Sequence, residues 1–146
     1  MPFPFLAACV FWDTVDFPFP HGLHPEWIYR RTKDFLEGKG YLGAADTLLL
    51  KAYIDEKNFP DGYRNDKVTL LPIPIQGGKY TRADTMLVDI VLWAMENPAT
   101  YHKPVDLMVI SANVKEGSDF LHALESLQDR QILQYRLSHV CSALIN

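Results

Sequence analysis

Apolar runs alternate with polar stretches rich in proline and glycine, and this pattern predicts the order of the elements. A short apolar run bounded by turn residues is typical of a buried strand in a parallel sheet. Runs of this kind predict strands at 6–12, 47–54, 68–75, 105–111 and 132–137. The third contains Pro72 and Pro74, which lack backbone N–H donors, so we expect it at a sheet edge or paired only in its first half.

Helical spacing of apolar residues separates these strands. It predicts helices at 24–38, 83–96 and 118–129, the first opened by a Pro-Glu pair that suits a helix start. The polar segment 55–66 is expected to be a surface loop. This alternation of strands and helices predicts a single α/β domain over residues 1–146, a three-layer α/β/α sandwich with a mostly parallel central sheet.

Composition and charge narrow the class of protein. The 146 residues are 48% hydrophobic and 12% aromatic, which excludes intrinsic disorder, and the net charge of −4 excludes nucleic-acid binding through bulk positive charge. Two cysteines are too few for a disulfide framework, so we expect a reducing intracellular compartment, either the cytoplasm or an organelle if a targeting segment lies upstream. No apolar stretch approaches the roughly 20 residues of a membrane span, so no membrane partner is expected.

Acidic and amide side chains gather where the predicted parallel strands end. They follow the first strand, follow the fourth strand, or open the helix predicted at 83–96, and parallel strands end at one edge of a sheet. These residues are Asp13, Asp16, Asp84, Asn113, Glu116 and Asp119. Convergent carboxylate and amide oxygens are ligands for a hard cation such as Mg²⁺ or Mn²⁺, which activates water for phosphodiester hydrolysis.

Each of these residues also has a simpler structural explanation. Asp13 and Asp16 fit Asx-turns, and Asp84 or Asp119 fits the start of a helix. Each explanation suffices for a single residue, but together they do not explain why the acidic residues gather at one edge of the sheet. This gathering favours a metal-binding site. Asp89 lies five positions after Asp84, off its helical face, and is expected to flank the helix or to support a ligand.

Three further signals indicate no additional chemistry. His21 and His24 have a zinc-like spacing, but in a proline-rich stretch a loop role is favoured. Gly77-Gly78 lacks a phosphate-binding glycine pattern, so a flexible turn and no nucleotide cofactor are expected. Ser111 lacks the context of a nucleophilic serine.

Basic and aromatic residues flank the predicted acidic edge. Cations that hold phosphates, together with rings that stack on bases, suit a track for single-stranded RNA, whereas a solvated rim is the structural alternative. The candidate RNA-binding residues are Lys79, Tyr80, Arg82 and Lys115, with Tyr101, His102 and Lys103 nearby.

Three segments, VFWDTVDFPFP, ADTMLVDIVLWAMENPA and LMVISANVKEGSDF, together resemble the NYN domain of the limkain and meiosis arrest female type, in the PIN-like nuclease superfamily. The family's D-x-x-N pattern corresponds to Asp13 to Asp16, and its A-S-D helix start with a later V-D corresponds to Ala83-Asp84 and Val88-Asp89. Its S-G-D-x-D-F motif looks like Ser111-Ala112-Asn113, followed by extra residues and Ser118-Asp119-Phe120. The resemblance implies a metal-dependent endoribonuclease acting on single-stranded RNA, with Asp13, Asp84 and Asp119 as metal ligands and Asp16 and Asn113 assisting.

Departures from the family pattern keep a second hypothesis open. Asp16 replaces the family Asn, Asn113 replaces a family Asp, and the loop before Asp119 is longer. An Asn carbonyl can still bind a cation but lacks the negative charge. The alternative is therefore a catalytically weakened module that binds RNA or forms a homodimer, with Phe17, Phe19 and Trp27 as candidate exposed residues, although core packing is favoured for Trp27.

Overall fold

The computed structural model describes residues 6–19, 24–38, 47–57, 63–73, 78–96, 106–111, 122, 126 and 134–137. Its strands and helices, in chain order, are β1 (Leu6–Asp13), α1 (Pro25–Gly38), β2 (Thr47–Asp55), β3 (Tyr63–Arg64), β4 (Val68–Ile73), α2 (Gly78–Glu96), β5 (Asp106–Ile110) and β6 (Gln134–Leu137). All five predicted strands are present. The helix predicted at 118–129 lies outside the described residues except for His122 and Ser126, which are helical.

The strands form one six-stranded sheet with the order β3-β4-β2-β1-β5-β6. Every pairing is parallel except that of β3 with β4. Strand β1 lies inside the sheet, hydrogen-bonded to β2 on one side and to β5 on the other, which explains its continuous apolar run. Its last residue, Asp13, pairs in register with Tyr53 of β2, so it lies at the carboxyl edge of the sheet.

Alternate residues of the strands supply two separate cores. Val10 and Trp12 of β1 pack in the core that includes Ile28 and Leu36 of α1. Cys9 and Phe11 pack in the other core, to which α2 contributes Met86, Ile90 and Trp93. The two helices therefore cover opposite faces of the sheet, and the predicted three-layer α/β/α sandwich is confirmed.

Helix α1 begins where the Pro-Glu pair predicts. The carbonyl oxygen of His24 accepts hydrogen bonds from the N–H groups of Trp27 and Ile28, at 2.9 and 3.2 Å, and the ring Nδ1 of His24 accepts one from the N–H of Glu26 at 3.2 Å. His24 thus satisfies donors that the first turn of a helix leaves unpaired. His21 lies outside the described residues.

The aromatic residues considered for an interface have different environments from those expected. Trp27 of α1 is 58% exposed, so the favoured core position for it is wrong. Phe17 and Phe19 are partly buried and pack against the core on the α1 side, where the Phe19 ring meets the Trp12 ring edge-on. Of the three, Trp27 is the one available on the surface.

The loop predicted at 55–66 contains the two-residue strand β3. Tyr63 and Arg64 pair antiparallel with Leu70 and Thr69 of β4, across a turn in which Asn65 Oδ1 accepts the N–H groups of Lys67 and Val68. Two residues are too short for a periodic signal. Strand β4 is second from the edge and pairs with β2 along its whole length, through Pro72 and Ile73, so the expected edge position is wrong. Pairing confined to the first half of the strand is found only on the outer side, where β3 contacts Thr69 and Leu70.

Helix α2 begins at Gly78, five residues before the predicted start at Ala83. The first turn is polar, so apolar periodicity could not detect it, and Gly78 is helical rather than part of a flexible turn. Asp84 consequently is the seventh residue of α2, and its predicted position at the opening of the helix is wrong. None of the helices in the described part of the chain is long and apolar enough to cross a membrane.

Candidate active site at the carboxyl end of strand β1

Asp13 is a buried carboxylate at the end of the central strand. Only 1% of the surface of Asp13 is exposed. One of its carboxylate oxygens, Oδ1, accepts hydrogen bonds from the N–H groups of Val15 at 3.0 Å and Asp16 at 3.3 Å. This is the Asx-turn considered from the sequence, and it brings the Asp16 backbone back toward the end of β1.

Backbone carbonyls fix the rest of the loop that leaves β1. Thr14 donates both its N–H and its Oγ1 hydroxyl to the carbonyl oxygen of Tyr53, at 3.0 and 2.8 Å. The indole Nε1 of Trp12 donates to the carbonyl oxygen of Phe17 at 2.8 Å, and the N–H of Phe17 donates to that of Asp13 at 3.1 Å. Residues 13–17 therefore have a defined conformation against β2 and the core.

Arg82 of α2 bridges the two acidic residues of this loop. Its Nε donates to Asp13 Oδ2 at 3.2 Å, and its Nη2 donates to Asp16 Oδ1 at 3.0 Å. The Arg82 side chain is 7% exposed and that of Asp16 is 16% exposed. Arg82 was predicted as an RNA contact with a solvated rim as the alternative, but its side chain is buried in a bridge between α2 and β1, so neither environment is found.

The bridge leaves a local excess of negative charge. Two carboxylates and one guanidinium sum to −1 when all three are ionised. Burial raises the pKa of Asp13 above its usual value, and the negative charge of Asp16 raises it further, whereas Arg82 opposes the rise. The Arg82 guanidinium thus favours the ionised form of Asp13, against the effects of burial and of Asp16.

A second contact, this one with β2, also holds α2 to the sheet, and its residue Tyr53 pairs with Asp13 in the sheet register. The Tyr53 hydroxyl donates to Asp89 Oδ2 at 2.6 Å. Burial, together with this bond and the charge of Asp89, raises the pKa of Tyr53, so the phenol stays neutral. Asp89 therefore accepts a bond from Tyr53 and not from a predicted ligand, and its support of a ligand stays a prediction. Nothing in the sequence pattern singled out Tyr53, which occupies an ordinary apolar strand position.

Asp84 occupies a different side of α2. It is exposed, and at 100° per residue it lies roughly 200° around the helix from Arg82. Within the described ranges, no three acidic, histidine or cysteine side chains lie close enough together to hold a metal ion. The structure therefore brings Asp13 and Asp16 together and does not add Asp84 as a third ligand in that part of the chain.

The family comparison agrees with this architecture. The family model of the NYN domain matches residues 7–140, most of the chain. The chain belongs to the NYN domain family. NYN domains are PIN-like nuclease domains, and nucleases of this superfamily usually use divalent metals. None of the curated proteins compared with the chain matches it, and the limkain and meiosis arrest female subtype stays a prediction.

Several predicted site residues of this NYN domain are not described. Asn113, Lys115, Glu116 and Asp119 all follow β5 and lie outside the described residues. Lys79 and Tyr80 belong to the first turn of α2, but their side chains are not described. Ser111, directly after β5, is buried, so the chain leaves this strand beside the end of β1. The predicted contributions of these residues stay predictions.

The donor chemistry on the β1 side fits a hard divalent cation. Asp13 and Asp16 supply carboxylate oxygens from one short loop, and Mg²⁺ is commonly held by one or two carboxylates together with water and substrate phosphates. Both carboxylates are bound by Arg82, which is therefore a cation already placed between two potential ligands. The site consists of suitable oxygens whose charge the protein partly neutralises itself.

Proposed function

We propose that this NYN domain is an endonuclease that hydrolyses phosphodiester bonds in single-stranded RNA with a divalent metal ion, Mg²⁺ or Mn²⁺. The observation that carries the proposal is the buried Asp13, placed with Asp16 at the carboxyl end of the central strand in a chain of the NYN family. Ligands bind at this edge of open parallel sheets. A buried carboxylate with a perturbed environment at such a position favours a catalytic role.

In this proposal one set of residues binds the metal ion and another set binds the RNA. Asp13 and Asp16 would hold the ion from the β1 side, with Asn113 and Asp119 as further proposed ligands. Asp84 lies on another side of α2 from Arg82, and its role as a ligand is proposed from the family pattern alone. A bound divalent ion supplies the charge that lowers the pKa of water and neutralises the scissile phosphate. The hydrogen bonds from Val15 and Asp16 fix the orientation of the Asp13 carboxylate.

The proposed RNA contacts are Lys79, Tyr80 and Lys115. Lys79 and Tyr80 precede Arg82 in the first turn of α2, where the helix N-terminus favours negatively charged groups such as phosphates. A lysine pairs with a phosphate as a point charge, and a tyrosine ring stacks on an unpaired base. Arg82 is buried and is not included among these contacts.

Cleavage of RNA by wild type with and without metal tests the nuclease, and Asp84→Asn tests the proposed role of Asp84. Labelled single-stranded RNA is incubated with wild type, with Asp84→Asn and with the control Glu96→Gln, each with Mn²⁺, Mg²⁺ or EDTA. Both positions are exposed on α2, so neither change disturbs the core. We expect metal-dependent cleavage by wild type and the control, and a loss of at least about 100-fold in Asp84→Asn, comparable to or greater than the effect of changing groups around a metal site.

The outcomes separate the role of Asp84 from the activity itself. Wild-type cleavage by Asp84→Asn would remove Asp84 from the mechanism while leaving the nuclease in place. No cleavage by folded wild type with either metal would contradict the proposed nuclease. Circular dichroism and thermal unfolding of all three proteins confirm that they are folded.

A second candidate function is RNA binding without efficient cleavage. The specific observation in its favour is Arg82, because its guanidinium neutralises part of the negative charge that a divalent ion needs. A gel shift of intact RNA by a protein that does not cut it would support this function. Homodimer formation, for which Trp27 is the exposed candidate, stays a prediction that light scattering tests.

A further inference from the structure

We infer that the guanidinium of Arg82 and a divalent cation compete for Asp13 and Asp16, so that Arg82 lowers the metal affinity of this site and positions the two carboxylates until a metal displaces it. The inference rests on the metal dependence in the proposed function. It assigns to Arg82 a role that differs from contact with RNA.

The hydrogen bonds of Asp13 show which of its oxygens is contested. Oδ1 accepts the N–H groups of Val15 and Asp16, which accounts for both of its lone pairs. Oδ2 is the oxygen that Arg82 Nε contacts at 3.2 Å. A cation that binds Asp13 without breaking the Asx-turn must therefore use the oxygen that Arg82 holds.

Asp16 extends the competition to a second oxygen. Arg82 Nη2 contacts Asp16 Oδ1 at 3.0 Å, so one guanidinium spans both carboxylates. A divalent ion that bound both carboxylates beside Arg82 would bring the local charge from −1 to +1. Because Asp13 and Arg82 are buried, water screens this repulsion weakly, and release of Arg82 is favoured over shared occupancy.

The experiment measures Mn²⁺ binding directly, without RNA and without activity. Free Mn²⁺ is followed by electron paramagnetic resonance while the ion is titrated into wild type, Arg82→Met and Arg31→Met. Arg31 is exposed on α1, on the opposite face of the sheet, so its replacement removes the same charge far from the site. We expect Mn²⁺ to bind Arg82→Met at least about 10-fold more tightly than wild type, and Arg31→Met to match wild type.

Arg82→Lys keeps the test decisive if Arg82→Met does not fold. A lysine retains the positive charge, but its single ammonium group cannot reproduce the fork that spans both carboxylates. We expect Arg82→Lys to bind Mn²⁺ more tightly than wild type and less tightly than Arg82→Met. Mn²⁺ should also raise the melting temperature of each Arg82 variant more than that of wild type, because binding only to the folded state stabilises it.

Equal or weaker Mn²⁺ binding by a folded Arg82 variant would overturn the competition, as would no Mn²⁺ binding by any variant. Cleavage that needs metal, with Mn²⁺ affinity unchanged by the Arg82 substitutions, would overturn the competition and leave the proposed nuclease standing. The expected gain in Mn²⁺ affinity without any RNA cleavage would support the competition and contradict the nuclease.

Discussion

Two acidic residues predicted as ligands of the same ion, Asp13 and Asp84, have opposite environments. Asp13 is buried at the end of β1 and bound by two backbone N–H groups and by Arg82. Asp84 is exposed on α2, on another side of the helix from Arg82. A substitution at Asp13 therefore affects the fold as well as any proposed chemistry, whereas a substitution at Asp84 tests its proposed role with the fold intact.

The largest expected difference is in stability. Asp13→Ala leaves Arg82 without one of its two partners and removes the acceptor for two backbone N–H groups. Breaking a buried ion pair is strongly destabilising, so we expect the free energy of unfolding to fall by about 3 kcal/mol. Asp84→Ala should change it by less than about 0.5 kcal/mol, as exposed substitutions usually do. Urea unfolding measures both, and equal losses would contradict the assigned environments.

An intermediate loss of stability is expected from breaking the hydrogen bond between Tyr53 and the half-buried Asp89. Tyr53→Phe removes the hydroxyl that donates to Asp89 and leaves the ring in the core. Hydrogen bonds to charged groups contribute roughly 1.5–3 kcal/mol, so we expect a loss of about 1.5 kcal/mol. The control is a double-mutant cycle with Asp89→Asn, measured by urea unfolding. If the two losses simply add, the hydroxyl and the carboxylate are not coupled.

The smallest expected effect is a pH dependence of stability caused by a buried group, the Cys9 thiol. Cys9 is a buried thiol on β1, and burial raises its pKa from 9.0 to about 12, with Lys51 opposing the rise. The unfolded thiol ionises at a lower pH than the folded one, so its contribution to stability is complete below pH 9 and is lost as pH rises toward 12. Between pH 8 and 10, wild type should lose about 1 kcal/mol more than Cys9→Ala.

Urea unfolding of both proteins at pH 8 and pH 10 measures this difference. Ionisation of the lysines and tyrosines affects wild type and Cys9→Ala alike and cancels in the comparison. Parallel losses of stability in the two proteins would show that the Cys9 thiol ionises as readily in the folded state as in the unfolded one.

Sequence patterns predicted what depends on the local chain. The run before Asp13 identified a buried parallel strand, and parallel geometry placed its end at the carboxyl edge, where ligands bind in open parallel sheets. Asp13 and Asp16 both follow this strand in the sequence, which predicts them at the same edge, and one Asx-turn joins them. The alternation of strands and helices was sufficient to predict the three layers.

The features that sequence could not predict depend on contacts between distant elements. Arg82 lies 69 residues from Asp13 in the chain. A sequence does not distinguish an arginine that is buried in an ion pair from one that is exposed to solvent. The first turn of α2 has no apolar periodicity, although Arg82 ties its end to β1. Strand β3 forms by pairing with the outer side of β4, and the sequence of a two-residue segment does not reveal that partner.

The hydrogen bonds that fix residues 13–17 have a thermodynamic consequence for recognition. The loop is held by the carbonyl oxygens of Tyr53, Asp13 and Phe17, and by the Asp13 carboxylate. Its conformational entropy is therefore lost when the chain folds, not when a ligand arrives. Association at this edge has no ordering cost from these residues, so a ligand keeps more of its interaction free energy as affinity.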